Sequence, residues 1–113
     1  MIENQTKRKL LARRCEIVRS VFGKTLGLMF RSRLDDVGLV FCFDTEKRTG
    51  VHMWFVFFPI DVLFLDRKQK IVEMVALNPF SVYIPKKAAQ YIVELPVGSK
   101  AKCAIGDRVR FKC

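Results

Sequence analysis

VHMWFVFFPIDVLFLD, residues Val51 to Asp66, is the longest apolar stretch of the chain and its richest in aromatic side chains. Of the 15 residues from Val51 to Leu65, only His52, Pro59 and Asp61 are not apolar. A membrane-crossing helix needs about 20 apolar residues and few charges. This run is too short, and Pro59 and Asp61 would sit well inside it. A buried helix fails as well, because proline breaks its hydrogen-bond ladder and the β-branched and aromatic content favours a pleated backbone. The stretch therefore reads as extended chain in two pieces, Val51–Phe57 and Ile60–Leu65. Apolar residues on both parities imply cover on both faces, as for a central strand.

Pro59 cannot donate to a sheet ladder, so it marks a bulge or a strand edge. On a regular strand His52 and Trp54 share one face and Asp61 takes the other. One extra residue at a bulge near Pro59 would reverse the register and bring Asp61 to the side of His52 and Trp54. That possibility makes the stretch a candidate site as well as a core.

Working outward, GLVFCF (Gly38–Phe43) reads as a buried strand and DTEKRTG (residues 44–50) as a polar loop. On the far side, DRKQK (Asp66–Lys70) is a charged turn into IVEMVAL (Ile71–Leu77), which forms a hairpin with Ile60–Leu65. Ser81–Ile84 is extended, Pro85–Gln90 is a basic loop, and YIVEL (Tyr91–Leu95) is a strand with Glu94 facing solvent. Gly106–Asp107 is a tight turn before the half-exposed strand RVRFK (Arg108–Lys112). Asp66 and Asp107 read as turn residues. Upstream, residues 20–33 place Val21, Phe22, Leu26, Met29 and Phe30 at helical spacing behind Ser20 as N-cap. The GKT at Gly23–Thr25 lacks the glycine a phosphate loop requires, since that position is Val18. Ala12–Val18 reads as an edge strand, and residues 1–9 as a flexible basic tail.

With 113 residues there is room for one domain. The expected architecture is a tail over 1–9 and a single β-rich domain over 10–113. Its many short strands and one or two short helices give a mainly β sandwich or small barrel. The net charge of +10 is uneven: residues 1–33 carry nine Lys/Arg against Glu3 and Glu16, whereas residues 34–80 carry five against seven acids. Such ends attract polyanions at long range, and they also keep a very apolar domain in solution. Cys15, Cys42, Cys103 and Cys113 show no C-x-x-C spacing and the chain has one histidine, so no metal site is expected. The first residues lack the apolar core of a signal peptide, which makes the cytoplasm, with reduced thiols, the default expectation. Free thiols and two disulfides both remain compatible with the spacing.

Four pieces in order, GLMFR (Gly27–Arg31), HMWFVFFPIDVLFLD (His52–Asp66), YIVELPVG (Tyr91–Gly98) and GDRVRF (Gly106–Phe111), resemble the family of domain of unknown function 192. The resemblance implies a compact, jelly-roll-like β domain of the cytosolic, archaeal type and carries no established activity. Trp54, Pro59 and Asp61 keep the family's aromatic, proline and acidic positions, while its polar Lys-Asn-Thr portion is replaced by Phe55–Phe58. Arg31 resembles the family's arginine.

Arg31, His52, Trp54 and Asp61 are the candidate ligand-binding residues. Arg31 offers a planar fork for an anion or a partner for Asp61. His52 is the one imidazole, Trp54 offers a stacking face, and Asp61 is a carboxylate in an apolar run that must find donors. The favoured function is a non-catalytic binding module presenting a shallow pocket to a small polar ligand or a protein partner, with no cofactor. The alternative is a nucleic-acid-associated protein gripping phosphates through Lys7, Arg8, Lys9, Arg13 and Arg14. A hydrolase built on His52 and Asp61 has the least support, because no nucleophile accompanies them.

Overall fold

The computed structural model describes residues 1–18, 36–53 and 56–113. Its centre is a five-stranded sheet of β3 (Arg14–Val18), β4 (Val37–Lys47), β9 (Ala89–Pro96), β6 (Ile60–Leu65) and β7 (Ile71–Leu77), in that spatial order. All six residues of β6, IDVLFL, are buried. The cause is visible in the two apolar clusters: Ile60, Val62 and Phe64 enter one, and Leu63 and Leu65 enter the other. Alternate residues of a strand point to opposite faces, so the clusters lie on the two sides of the sheet. β9 behaves in the same way, with Ile92 on the first side and Val93 and Leu95 on the second. Every pairing in this sheet is antiparallel except β3 with β4, which is parallel.

Two smaller sheets cover the faces. The first is β10 (Val109–Phe111), β1 (Ile2–Asn4) and β2 (Lys9–Ala12), whose Val109, Ile2, Leu11 and Ala12 pack on the Leu63/Leu65 side. A short 3₁₀ helix, Ser99–Lys102, lies against the same layer. The second is the pair β5 (Val51–His52) and β8 (Val82–Tyr83), which brings Val51, Met53 and Tyr83 onto the Ile60/Val62/Phe64 side. The protein is thus mainly β and built of stacked sheets, none of which closes into a barrel. Among the described residues no helix is long and apolar enough to cross a membrane.

Several expectations hold: the hairpin of β6 and β7, the strand at Ile71–Leu77, and the Gly106 turn, where φ is 93°. Others are corrected. The tail expected over residues 1–9 is strand and turn, because Ile2 is sealed in the core and Asn4 is a buried hub. The Asn4 amide donates to the Lys102 carbonyl (2.9 Å) and to Asp107 (2.8 Å), whose carboxylate also pairs with Lys7 at 3.2 Å. The polar loop expected from residue 44 begins later, since β4 continues through Asp44–Lys47. Of the strand expected over Val51–Phe57, the described residues form strand only in β5, and β6 begins at Ile60. The helix expected within 20–33 lies outside the described residues.

Reduced thiols were the default expectation, but Cys15 and Cys113 are joined in a disulfide across 98 residues, while Cys42 and Cys103 are in no disulfide. The bond links the edge strand β3 to the end of the β10 layer. Nearby, Gly38 lies so close beneath β1 that an added Cβ would meet Ile2 Cδ1 at 2.2 Å and Leu95 Cδ2 at 3.0 Å. In the chain-entropy picture, a closed loop of this length restricts the unfolded state by about 4–5 kcal/mol. A Cys15→Ser/Cys113→Ser double variant is expected to unfold at lower urea concentration than the oxidised protein by a few kcal/mol. Wild type with dithiothreitol should match it.

Candidate functional site

Of the four predicted site residues the structure describes His52 and Asp61, and these two lie on opposite faces of the central sheet. Arg31 and Trp54 lie outside the described residues. Asp61 is 2% exposed and faces the Leu63/Leu65 side, where its Oδ2 accepts from the backbone amides of Lys100 (2.7 Å) and Gly98 (3.0 Å). It fixes the start of the 3₁₀ helix. His52 is on β5, over the opposite face of the sheet, in register with Val82 and half-buried. The expected register reversal does not occur, because Met53 and residues 56–59 are not strand and β6 starts in regular pairing with β9. A catalytic pair of His52 and Asp61 therefore has no geometric basis. Asp61→Ala would leave two amides unpaired in a closed layer and is expected to destabilise the fold by about 2–4 kcal/mol in urea denaturation.

The basic run is partly neutralised within the fold. Lys7 pairs with Asp107, and Arg13 pairs with Asp36 at 3.2 Å. Arg8 sits in the β1–β2 turn at φ 55°, Lys9 opens β2, and Arg14 opens β3, so the five side chains are divided between two places in the chain.

A different surface gathers exposed groups. Tyr83 points inward and meets the Phe64 ring at 5.8 Å, so Val82 and Ile84, of opposite parity, point outward and are 54% and 62% exposed. Just before them Phe80 is also exposed, with its ring 5.3 Å from that of exposed Phe57 in an edge-on arrangement. Phe80 has a φ of 62°. A bulky side chain in the left-handed region costs about 1–2 kcal/mol. The turn thus holds a half-exposed aromatic ring on a strained backbone that glycine would adopt freely.

Cations stand at the far end of this stripe. Arg48 Nε donates to the Pro85 carbonyl at 2.9 Å. Lys86 and Lys87 follow, and their backbone amides donate to Glu73 Oε1 at 3.0 and 2.9 Å. The Tyr83 hydroxyl donates to the other oxygen of the same carboxylate. Desolvation pushes the Glu73 carboxyl up, but the Tyr83 hydroxyl and the two amides outweigh it and hold the carboxyl below its ordinary range. Tyr83 is raised in turn, first by that hydrogen bond and then by burial. Glu73 is thereby a fixed anion that locks the loop displaying the two lysines. Arg48, Lys86 and Lys87 form no salt bridge among the described residues, although the Lys86 charge lies near enough to Glu73 to help keep it ionised. A shallow groove of about 260 Å³ opens here, walled by Val72, Met74, Tyr83, the two lysines and exposed Ile105. A larger concavity of about 380 Å³ adjoins the disulfide, but its Arg14 and Glu16 are already engaged. Among the described residues no three His, Cys, Asp or Glu side chains gather as a metal site.

The folded chain is matched over residues 2–111 by the model of domain of unknown function 192, described as an uncharacterized ACR. The chain belongs to this family. A relative, the UPF0127 protein of Pyrococcus abyssi, is 32% identical over 113 residues, covering 98% of this chain and 97% of its own. A protein of unknown function from Novosphingobium aromaticivorans has the same fold, with a TM-score of 0.83 at 21% identity over 97% of this chain and 82% of that one. A Sinorhizobium meliloti protein, provisionally described as a transcription regulator, superposes with a TM-score of 0.78 at 24% identity, over 85% of this chain and 79% of that one. At these identities the two structures establish the fold alone.

Glu94 was expected in solvent and is instead 5% exposed, on the central strand β9 between Leu39 and Val62. It has no hydrogen-bond or ion-pair partner among the described residues. Burial pushes its pKa from 4.5 to about 8. The neutral acid is therefore the form the fold favours. Stability is greatest below the unfolded pKa, falls by up to about 1.4 kcal/mol per pH unit between the two values, and levels off above the folded one. Glu94→Gln should flatten this decline, with melting temperatures nearly equal at pH 5 and pH 8.5 where wild type loses several degrees.

Proposed function

We propose that the protein is a non-catalytic binding module that engages a protein partner through the outward face of β5 and β8. The observation that carries this is the strained, half-exposed Phe80 at the head of an apolar row, Val82 and Ile84, that ends at Arg48, Lys86 and Lys87, none of which forms a salt bridge among the described residues. Fully burying a side chain of this size contributes about 1.5–3 kcal/mol, so four such groups left about half exposed form a surface that gains part of that each by being covered. A small polar ligand fits less well, because the adjoining groove is smaller and shallower than common ligand pockets of about 300–1,000 Å³. We place the module in the cytoplasm. A single disulfide is compatible with that, since intracellular proteins of hyperthermophilic archaea carry such bonds and a close relative comes from Pyrococcus.

A photo-crosslinking amino acid at position 82, compared with one at equally exposed Val97, tests this in cells. The expected result is a discrete, saturable adduct from position 82 that disappears on Phe80→Gly. Identical adducts from both positions, or an adduct indifferent to Phe80→Gly, would refute the proposal.

A further inference from the structure

Resting on the binding-module proposal, we infer that the partner presents an extended peptide segment with alternating apolar side chains followed by acidic residues. Val82 and Ile84 lie two residues apart on one side of an extended chain, a spacing of about 6.6 Å, which is also the repeat of same-face side chains on a second extended chain. The Phe57–Phe80 pair extends the row at one end, and Arg48, Lys86 and Lys87 close it at the other. An occupant must therefore be apolar along its length and anionic at one end.

Other occupants satisfy less of this. A second copy of the chain would bring a net charge of +10 against another +10. Single-stranded nucleic acid would find, along this row of described residues, the Phe57 and Phe80 rings at one end to stack on, while Val82 and Ile84 have no π-face. The anions of a nucleic acid also run along its whole length, whereas the cations here are at one end. Glu73 adds the last element: by holding the Lys86 and Lys87 amides it fixes the loop before any partner arrives, which lowers the ordering cost of binding.

The test uses the full-length oxidised protein and a fluorescent peptide of three leucines separated by serines and followed by three glutamates. Saturable binding is expected, weakened at least about tenfold by Phe80→Gly, which should leave the melting temperature equal or higher because it relieves the left-handed strain. Lys86→Glu/Lys87→Glu should lose the glutamate peptide and gain a matching peptide ending in three lysines. That exchange of preference is something a merely loosened fold would not produce. Equal affinity of wild type for both peptides, or indifference to Phe80→Gly, overturns the inference. So does retention only on vesicles of phosphatidylcholine and phosphatidylserine, which would identify a lipid surface instead. If the peptide fails while the position-82 adduct persists, the partner chemistry is wrong and the binding module stands. If both fail, both proposals fall.

Discussion

Everything in this fold follows from covering β6 and β9 on two sides at once. A half-exposed sheet can place a polar residue at every second position, but a strand sealed on both faces has no such freedom. Six consecutive buried residues in β6 force a layer onto each side, and the chain supplies them from distant parts of its length: β1, β2 and β10 below, β5 and β8 above. The two carboxylates on these central strands show the consequences. Asp61 resolves its burial with two amides of the 3₁₀ helix, so that a polar group becomes the joint between sheet and loop. Glu94 finds no such donors among the described residues, and burial favours its protonated form instead.

The central sheet was legible because its signal is local. Runs of β-branched and aromatic residues bounded by Asp66–Lys70 or by Pro96 and Gly98 leave little choice of element, and β7 was read to its boundaries. What local pattern could not supply was partnership between distant segments. Residues 1–9 look like a tail until Ile2 is seen to fill the space above Gly38 and Asn4 to reach Lys102 and Asp107. Glu94 could have been placed correctly from sequence, since Ile92, Val93 and Leu95 flank it with apolar side chains on both parities. The isolated charge suggested solvent, and the double cover prevailed.

The candidate site was less legible than the core. Attention fell on the polar members of the apolar stretch, yet Asp61 and His52 ended on different faces because the chain between Met53 and Ile60 is not a continuous strand. The exposed row at Phe80, Val82 and Ile84 leaves no mark in the sequence, because one short extended segment gives no indication of which parity faces out. That choice is made by Tyr83, whose hydroxyl must reach Glu73 and whose ring must reach Phe64. A hydrogen bond and a ring contact on the inner side thus decide what the outer side displays.

The disulfide divides the molecule in a way the sheet diagram hides. Joining Cys15 to Cys113 makes a covalent ring that contains every strand from β3 to β10 and omits β1 and β2. Yet β1 is the middle member of its sheet, wedged between β10 and β2, with Ile2 plugging the core from outside the ring. The first strand is therefore a cork in a stapled vessel: it seals the lower layer by contact alone and could be withdrawn without a single covalent bond of the ring being opened.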